Sequence, residues 1–202
     1  MALTKSVASV TDWTAVAQAA VGESATVDIS GSCYESVLSI QAFLDTETAH
    51  TGTEFIIQVS SNTSGDEDWQ DYTRFVELVG TANQEPLTNN PAAAGTTVLT
   101  CASTTGYTVA DVAAPWRAIK DSTLANSELI LQVAVSANTS ITIQDGTTNA
   151  HVKNTNMYSI ACTKEIWIPI SYNRVRVIVN NDYDSNGSTL NYKVRINKVT
   201  AL

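Results

Sequence analysis

Two alternating, β-branched runs near the C-terminus constrain this chain more than any other stretch. Residues 172–179 read Y-N-R-V-R-V-I-V and residues 189–199 read T-L-N-Y-K-V-R-I-N-K-V, separated by the polar stretch N-N-D-Y-D-S-N-G-S. Side chains alternate across a strand, so Val175, Val177 and Val179 share one face and Arg174 and Arg176 the other. In the second run Tyr192, Val194 and Ile196 oppose Lys193 and Arg195. An Asn-, Asp- and Gly-rich loop between two such runs predicts a β-hairpin with one apolar and one cationic face. Four like charges on paired strands repel unless carboxylates face them. Arg174, Arg176, Lys193 and Arg195 are therefore the candidate interface residues, with an acidic surface as the expected complement.

The rest of the chain follows the same rule. Strands are predicted in T-K-S-V-A-S-V-T, S-A-T-V-D-I-S, Ser36–Asp45, Thr53–Ser61 and the aromatic run from Trp69. The best helix candidate, Asp12–Ala20, has Thr11 or Asp12 to cap it and Gly22 to close it, but strands with at most one helical turn fit better. Gly80–Ala94, with Asn83, Pro86, Asn89, Asn90 and Pro91, reads as a linker. Short strands then recur between Gly, Asn and Asp turns over Thr96–Ser103, Trp116–Asp121, Ser127–Ser136 and Ser140–Gly146, the pattern of a small antiparallel barrel. The expected fold is all-β: an antiparallel, jelly-roll-like β-sandwich built from residues 1–90 and 153–202, with residues 91–152 as an inserted β-barrel-like unit.

Charge is unevenly distributed. Residues 1–90 hold 2 basic against 13 acidic side chains, and residues 153–202 hold 7 against 3. The net charge of −9 opposes general nucleic-acid binding. An acidic part and a basic part suit either like subunits meeting one another or one folded body whose ends neutralise each other. Cys33, Cys101 and Cys162 form no CxxC pair and read as buried free thiols. No run approaches a membrane span and the N-terminus lacks an apolar leader, so a protein made in a cytoplasm, with no membrane partner, is expected.

Chemistry-bearing motifs are sparse. Asp66 and Asp68 sit in an acidic turn with the oxygen ligands a Ca²⁺ ion takes. Asp182 and Asp184 open a D-x-D-x-N-G stretch that resembles the start of a calcium loop, but its twelfth position is Lys193 where a bidentate Glu is needed. These four are weak metal candidates, and a turn is the commoner explanation of both clusters. His50 and His151 have no motif beside them, and no G-x-S-x-G, H-E-x-x-H or phosphate loop occurs, so no catalytic residue and no cofactor is assigned. Trp13, Trp69, Trp116 and Trp167, with seven tyrosines, offer a sugar-stacking face, against the commoner role of core and interface aromatics.

Three passages, F-I-I-Q-V-S-S-N-T-S-G-D-E-D-W-Q-D-Y, G-T-T-V-L-T-C-A-S-T-T-G-Y-T-V-A-D (continuing through S-E-L and S-I-T-I-Q-D-G) and R-V-R-V-I-V-N-N-D-Y-D-S-N-G-S, together resemble segments of small virion proteins from tailed bacteriophages. The resemblance implies a non-enzymatic virion component, a decoration or cement protein binding the major capsid protein or other virion proteins, as a homo-oligomer such as a trimer. A head–tail connector or tail component is the alternative within that class, and a carbohydrate- or receptor-binding β-module the alternative outside it.

Overall fold

The computed structural model describes residues 3–30, 33–45, 49–65, 68–107, 115–181 and 188–201, with the backbone alone at residues 3, 5, 33–35, 200 and 201. The first nine strands, in chain order, are β1 (Leu3–Val16), β2 (Val21–Glu23), β3 (Val27–Asp28), β4 (Cys33–Leu44), β5 (Ala49–His50), β6 (Thr53–Ser60), β7 (Gln70–Glu77), β8 (Gly80–Thr81) and β9 (Gln84–Pro86). They continue as β10 (Val98–Thr100), β11 (Trp116–Lys120), β12 (Glu128–Ser136), β13 (Ser140–Ile143), β14 (Asn156–Tyr158), β15 (Ala161–Ile168), β16 (Arg174–Asn180) and β17 (Leu190–Ala201). The described residues contain no α-helix, only a 3₁₀ turn at Leu124–Asn126, and hence no helix long and apolar enough to cross a membrane. The Asp12–Ala20 helix candidate is instead strand to Val16 followed by a turn, with Ala19 at φ 55°.

Pairing is nested. β1 pairs with β17, β2 and β3 with β16, β4 with β15, and β6 with β7, all antiparallel. The chain thus forms one long ribbon, its outermost strands paired first to last. The ribbon rolls up through the β17–β4 and β16–β6 pairs into two sheets, β1-β17-β4-β15 and β2-β16-β6-β7. This is the strand order of a jelly roll, the expected fold class. Period-two patterning drives the roll, because each strand has one apolar row to hide. Leu38, Ile40, Ala42, Tyr192, Val194 and Ile196 from one sheet meet Phe55, Ile57, Val59, Val175, Val177 and Val179 from the other in a single buried cluster.

The predicted C-terminal hairpin does not form. β16 and β17 belong to different sheets and face each other across the core. Their connection, residues 181–189, is longer than a tight hairpin turn and long enough to cross the roughly 10 Å between packed sheets. Both valine-rich rows are then buried, as the alternation demands.

Between β7 and β15 the chain builds a third sheet, ordered β10-β13-β12-β11-β14-β9. An isolated Leu87–Cys101 bridge and a 2.8 Å bond from Thr88 N to Thr100 O bring its last strand round to its first, so the sheet curls into a nearly closed barrel. Leu87, Leu99, Tyr107, Ile119, Ile141 and Met157 fill it. The Gly80–Ala94 stretch is more than the linker expected: it supplies β8, which pairs with β5, and β9, where Pro86 is tolerated at a sheet edge. The curled unit packs on the outer face of the first sheet. There Phe43 meets the Trp13 ring edge-on at 5.2 Å and the Tyr158 ring at 6.1 Å, and Trp13 Nε1 donates to Ser127 O at 2.6 Å.

Asn191 lies beside this junction, paired in register with Phe43 and fully buried, and neither end of its amide has a hydrogen-bond partner among the described residues. Burying an unmatched amide costs on the order of 1–3 kcal/mol. Asn191→Leu, close in volume, is therefore expected to raise the urea-unfolding free energy by about 1 kcal/mol, whereas Asn191→Asp, which adds a charge, is expected to lower it.

Candidate functional site

The four predicted interface cations do not share a face. Arg174 and Arg176 stand on the outside of the β2-β16-β6-β7 sheet, Lys193 and Arg195 on the outside of the other. The expected cationic face rested on the hairpin, and splitting its strands between sheets divides it.

Arg174 is a structural clamp. It is buried, and its Nε donates to Asn62 O at 2.7 Å, its Nη1 to Gly65 O and its Nη2 to Ser60 Oγ at 3.2 Å, tying down the turn after β6. Arg176 bonds Gln58 Oε1 at 2.8 Å and pairs with Glu23 at 2.7 Å. The two guanidinium carbons lie 4.9 and 4.3 Å from the centroid of the Trp69 ring, a double cation–π contact that holds this tryptophan against the sheet. Lys193 reaches Asp12 at 3.7 Å and lies 5.9 Å from the Trp13 ring centre; burial, then the nearby Arg195, lowers its pKa. Arg195 is exposed and has no ion pair among the described residues. The acidic and basic parts of the chain therefore meet within the molecule, at Glu23–Arg176, Asp12–Lys193 and Glu77–Lys164.

Of the candidate metal ligands, Asp66, Asp182 and Asp184 lie outside the described residues. Asp68 is described, and its carboxylate accepts the Asn62 amide at 2.5 Å. Among the described residues no group of three or more His, Cys, Asp or Glu is placed to hold a metal ion. Cys101 and Cys162 are free thiols; burial pushes the Cys162 thiol up to about 12, which removes it from thiolate chemistry near neutrality. The side chain of Cys33 lies outside the described residues.

The feature that sequence reasoning missed is the open side of the sandwich. β7 and β15 are the outermost strands of their sheets and border the same side, where Lys164 pairs with Glu77 at 3.4 Å and lies 5.3 Å from the Phe75 ring centre. Among the described residues, both strands leave one row of backbone N–H and C=O groups without a ladder partner. A groove of about 630 Å³ runs between them, lined by Tyr72, Phe75, Lys164, Glu165, Ile166 and Trp167. Trp167 is 62% exposed and Ile170, just after β15, 63%; Val76 and Val79 are exposed too, but line a separate pocket with Pro115, Trp116 and Ile160. Tyr72 is propped edge-on against Tyr172 at 6.0 Å, so the rim is a set of braced aromatic rings. Of the four tryptophans nominated for a sugar-stacking face, Trp13 is buried, Trp69 sits under two arginines and Trp116 is half-buried, while Trp167 faces solvent. The signal in the sequence was A-C-T-K-E-I-W-I, where Trp167 falls on the polar phase of the alternation.

No protein-family model matches the chain, and no curated protein matches it. Among solved structures, it is similar to the K3 cleaved adhesin domain of Lys-gingipain from Porphyromonas gingivalis W83, with a TM-score of 0.37 and 10% identity over 90% of this chain and 71% of that one. It is also similar to VP17, a capsid protein of bacteriophage P23-77, with a TM-score of 0.21 and 6% identity over all of both chains. A third match, from the structure of infectious bursal disease virus Gx strain, has a TM-score of 0.25 and 8% identity over 98% of this chain and 41% of that one. These TM-scores, all below 0.5, set no constraint on function.

Arg174 and Arg195 separate structural from surface charge. Arg174→Ala removes the charge-assisted bonds to Asn62, Gly65 and Ser60 and the contact with Trp69, and is expected to cost about 2–3 kcal/mol in urea unfolding. Arg195→Ala is expected to stay within about 0.5 kcal/mol of the parent.

Proposed function

We propose that this chain is a non-enzymatic structural subunit of a tailed-bacteriophage virion, a decoration or cement-type protein that docks on neighbouring capsid subunits as a homo-oligomer. The observation that carries the proposal is the β7–β15 side, where the outermost strands of the two sheets flank a groove lined by Tyr72, Phe75, Ile166 and the exposed Trp167. Contiguous exposed apolar surface marks a contact site, and braced aromatics are the side chains that dominate the energy of such contacts. Unpaired edges add backbone hydrogen bonding to a partner's extended segment. The jelly-roll order is consistent with this role, being a framework that capsid proteins use, although lectins use it too and fold alone does not assign function. Because the molecule's own acidic and basic parts pair internally, the binding energy is assigned to the aromatic groove, with Glu165 and the Lys164–Glu77 pair at its rim orienting the partner.

The test is stoichiometric binding to expanded empty capsids, read by electron microscopy and by capsid melting. Saturating occupancy with a raised melting temperature is expected. Trp167→Ala is expected to weaken binding about 30-fold, the loss of roughly 2 kcal/mol at a contact centre, while leaving the subunit's own unfolding unchanged. Absence of occupancy and of any stabilisation would overturn the reading. Density on the tail or neck of the virion instead would transfer the subunit to the connector or tail class.

A carbohydrate-binding module is the second reading, favoured by the single fact that Trp167 and Tyr72 present exposed rings beside the charged pair Lys164 and Glu165. A glycan array comparing the parent with Trp167→Ala decides it: a hit lost in the variant supports a sugar site, and no Trp167-dependent hit ends it.

A further inference from the structure

The curled unit buries a histidine between two carboxylates. The His151 side chain is wholly inaccessible to solvent, with Nε2 2.6 Å from Glu128 Oε1 and Nδ1 3.3 Å from Asp121 Oδ2. A neutral imidazole has one donor and one acceptor nitrogen. Here both nitrogens face carboxylate oxygens, which accept only, so the geometry requires the doubly donating imidazolium.

Each partner is anchored to a different stretch of chain. Glu128 also accepts the backbone N–H groups of Thr148 at 2.7 Å and Asn149 at 3.2 Å. Asp121 accepts Thr123 N at 2.9 Å and the Ser122 hydroxyl at 3.3 Å. The His151 backbone exchanges two 2.8 Å hydrogen bonds with Ala92, and the Asn149 side chain donates to Asn126 O at 2.9 Å. Segments 91–96, 121–128 and 147–151 therefore converge on one ring.

We propose that His151, Glu128 and Asp121 form a proton-operated latch, which locks these three segments of the curled unit while His151 is charged and releases them when it loses its proton. The charged groups acting on the ring are Glu128 from β12 and Asp121 from the loop after β11. Segment 91–96 brings only backbone and uncharged side chains to it. Lys120 and Lys153 line the groove that opens beside Asp121, and Lys120 is paired with Asp45. Neutralising His151 turns one of its nitrogens into an acceptor facing a carboxylate and removes the cation between Glu128 and Asp121, so one bond is lost and the two anions are left uncompensated in a buried site.

The direction of the pH dependence follows. Burial disfavours charge on His151, but the hydrogen bonds to Glu128 and Asp121 outweigh it and raise its pKa above 6.5. Burial likewise opposes charge on Glu128 and Asp121. For Glu128 the bonds from His151, Thr148 and Asn149 prevail and lower its pKa below 4.5; for Asp121 those from Thr123, His151 and Ser122 lower it below 3.8. A raised histidine contributes stability that is complete below its unfolded pKa and is lost as pH rises through its folded pKa. Lowered carboxylates contribute stability that is complete above their unfolded values and is lost as pH falls through their folded ones. The latch is therefore closed between pH 4.5 and 6.5, and opens at higher pH as His151 titrates.

The experiment combines a ¹⁵N-imidazole NMR titration with hydrogen exchange from pH 5.5 to 9, corrected for the intrinsic pH dependence of exchange. His151 is expected to titrate above 6.5. Protection over residues 121–128 and 147–151 is expected to fall at least tenfold across that transition, while β6 and β16 in the sandwich keep theirs. His151→Gln is expected to flatten the loop profile. Should that variant fail to fold, Asp121→Asn, which removes one of the two anions, is expected to move the transition to lower pH. A His151 pKa at or below 6.5, loop protection that does not change with pH, or an Asp121→Asn transition that stays in place would each overturn the latch.

Discussion

The structure depends on one constraint: every long strand has a single apolar row, and a two-layer roll is the arrangement that buries all of those rows against each other. Val175, Val177 and Val179 on β16 and Tyr192, Val194 and Ile196 on β17 are consecutive in the chain yet meet face to face rather than edge to edge. Nested pairing, with β1 on β17 and β4 on β15, satisfies the backbone of the first sheet, as β16 on β2, β3 and β6 does for the second. A one-residue slip anywhere in this ribbon would turn a buried row to solvent, so the alternation also holds the register.

The polar rows on the outer faces have separate duties. On one face Arg174 and Arg176 clasp Trp69 and the turn after β6. On the other, Phe43 and Trp13 dock the curled unit, and Lys193 is drawn down beside Trp13. Rolling the ribbon up also leaves β7 and β15 as the outer strands of their sheets, and the insertion leaves the sandwich between these same two strands. The exposed aromatic groove thus sits where the fold has spare edges and the chain has spare length. Edges of this kind are hazards in an isolated subunit and assets in an assembling one.

Much of the secondary structure was legible because period-two patterning is local. β4, β6, β7, β12, β13 and β16 lie in the stretches where alternating or β-branched runs predicted them. Pairing was less legible. The loop after β16 has the composition of a hairpin turn, and composition reports backbone flexibility without reporting which sheet the next strand joins. The cationic face failed for the same reason, since it needed Arg174 and Lys193 on adjacent strands. Trp167 was named with the other three tryptophans and not singled out, because an exposed aromatic and a buried one look alike in sequence. His151 was passed over because its two carboxylates lie 23 and 30 residues away, at distances no local motif spans.

The sequence by itself therefore determined an all-β chain, its apolar rows, most of its strands and its lopsided charge, since each is a property of neighbouring residues. Only the tertiary structure decided that the C-terminal runs part company into two sheets and that acidic and basic segments neutralise each other within one molecule. It alone decided that Trp167 faces solvent beside two free edges and that His151 is sealed between Glu128 and Asp121. These outcomes rest on burying every apolar row at once, a condition imposed by the whole chain and visible in no single stretch of it.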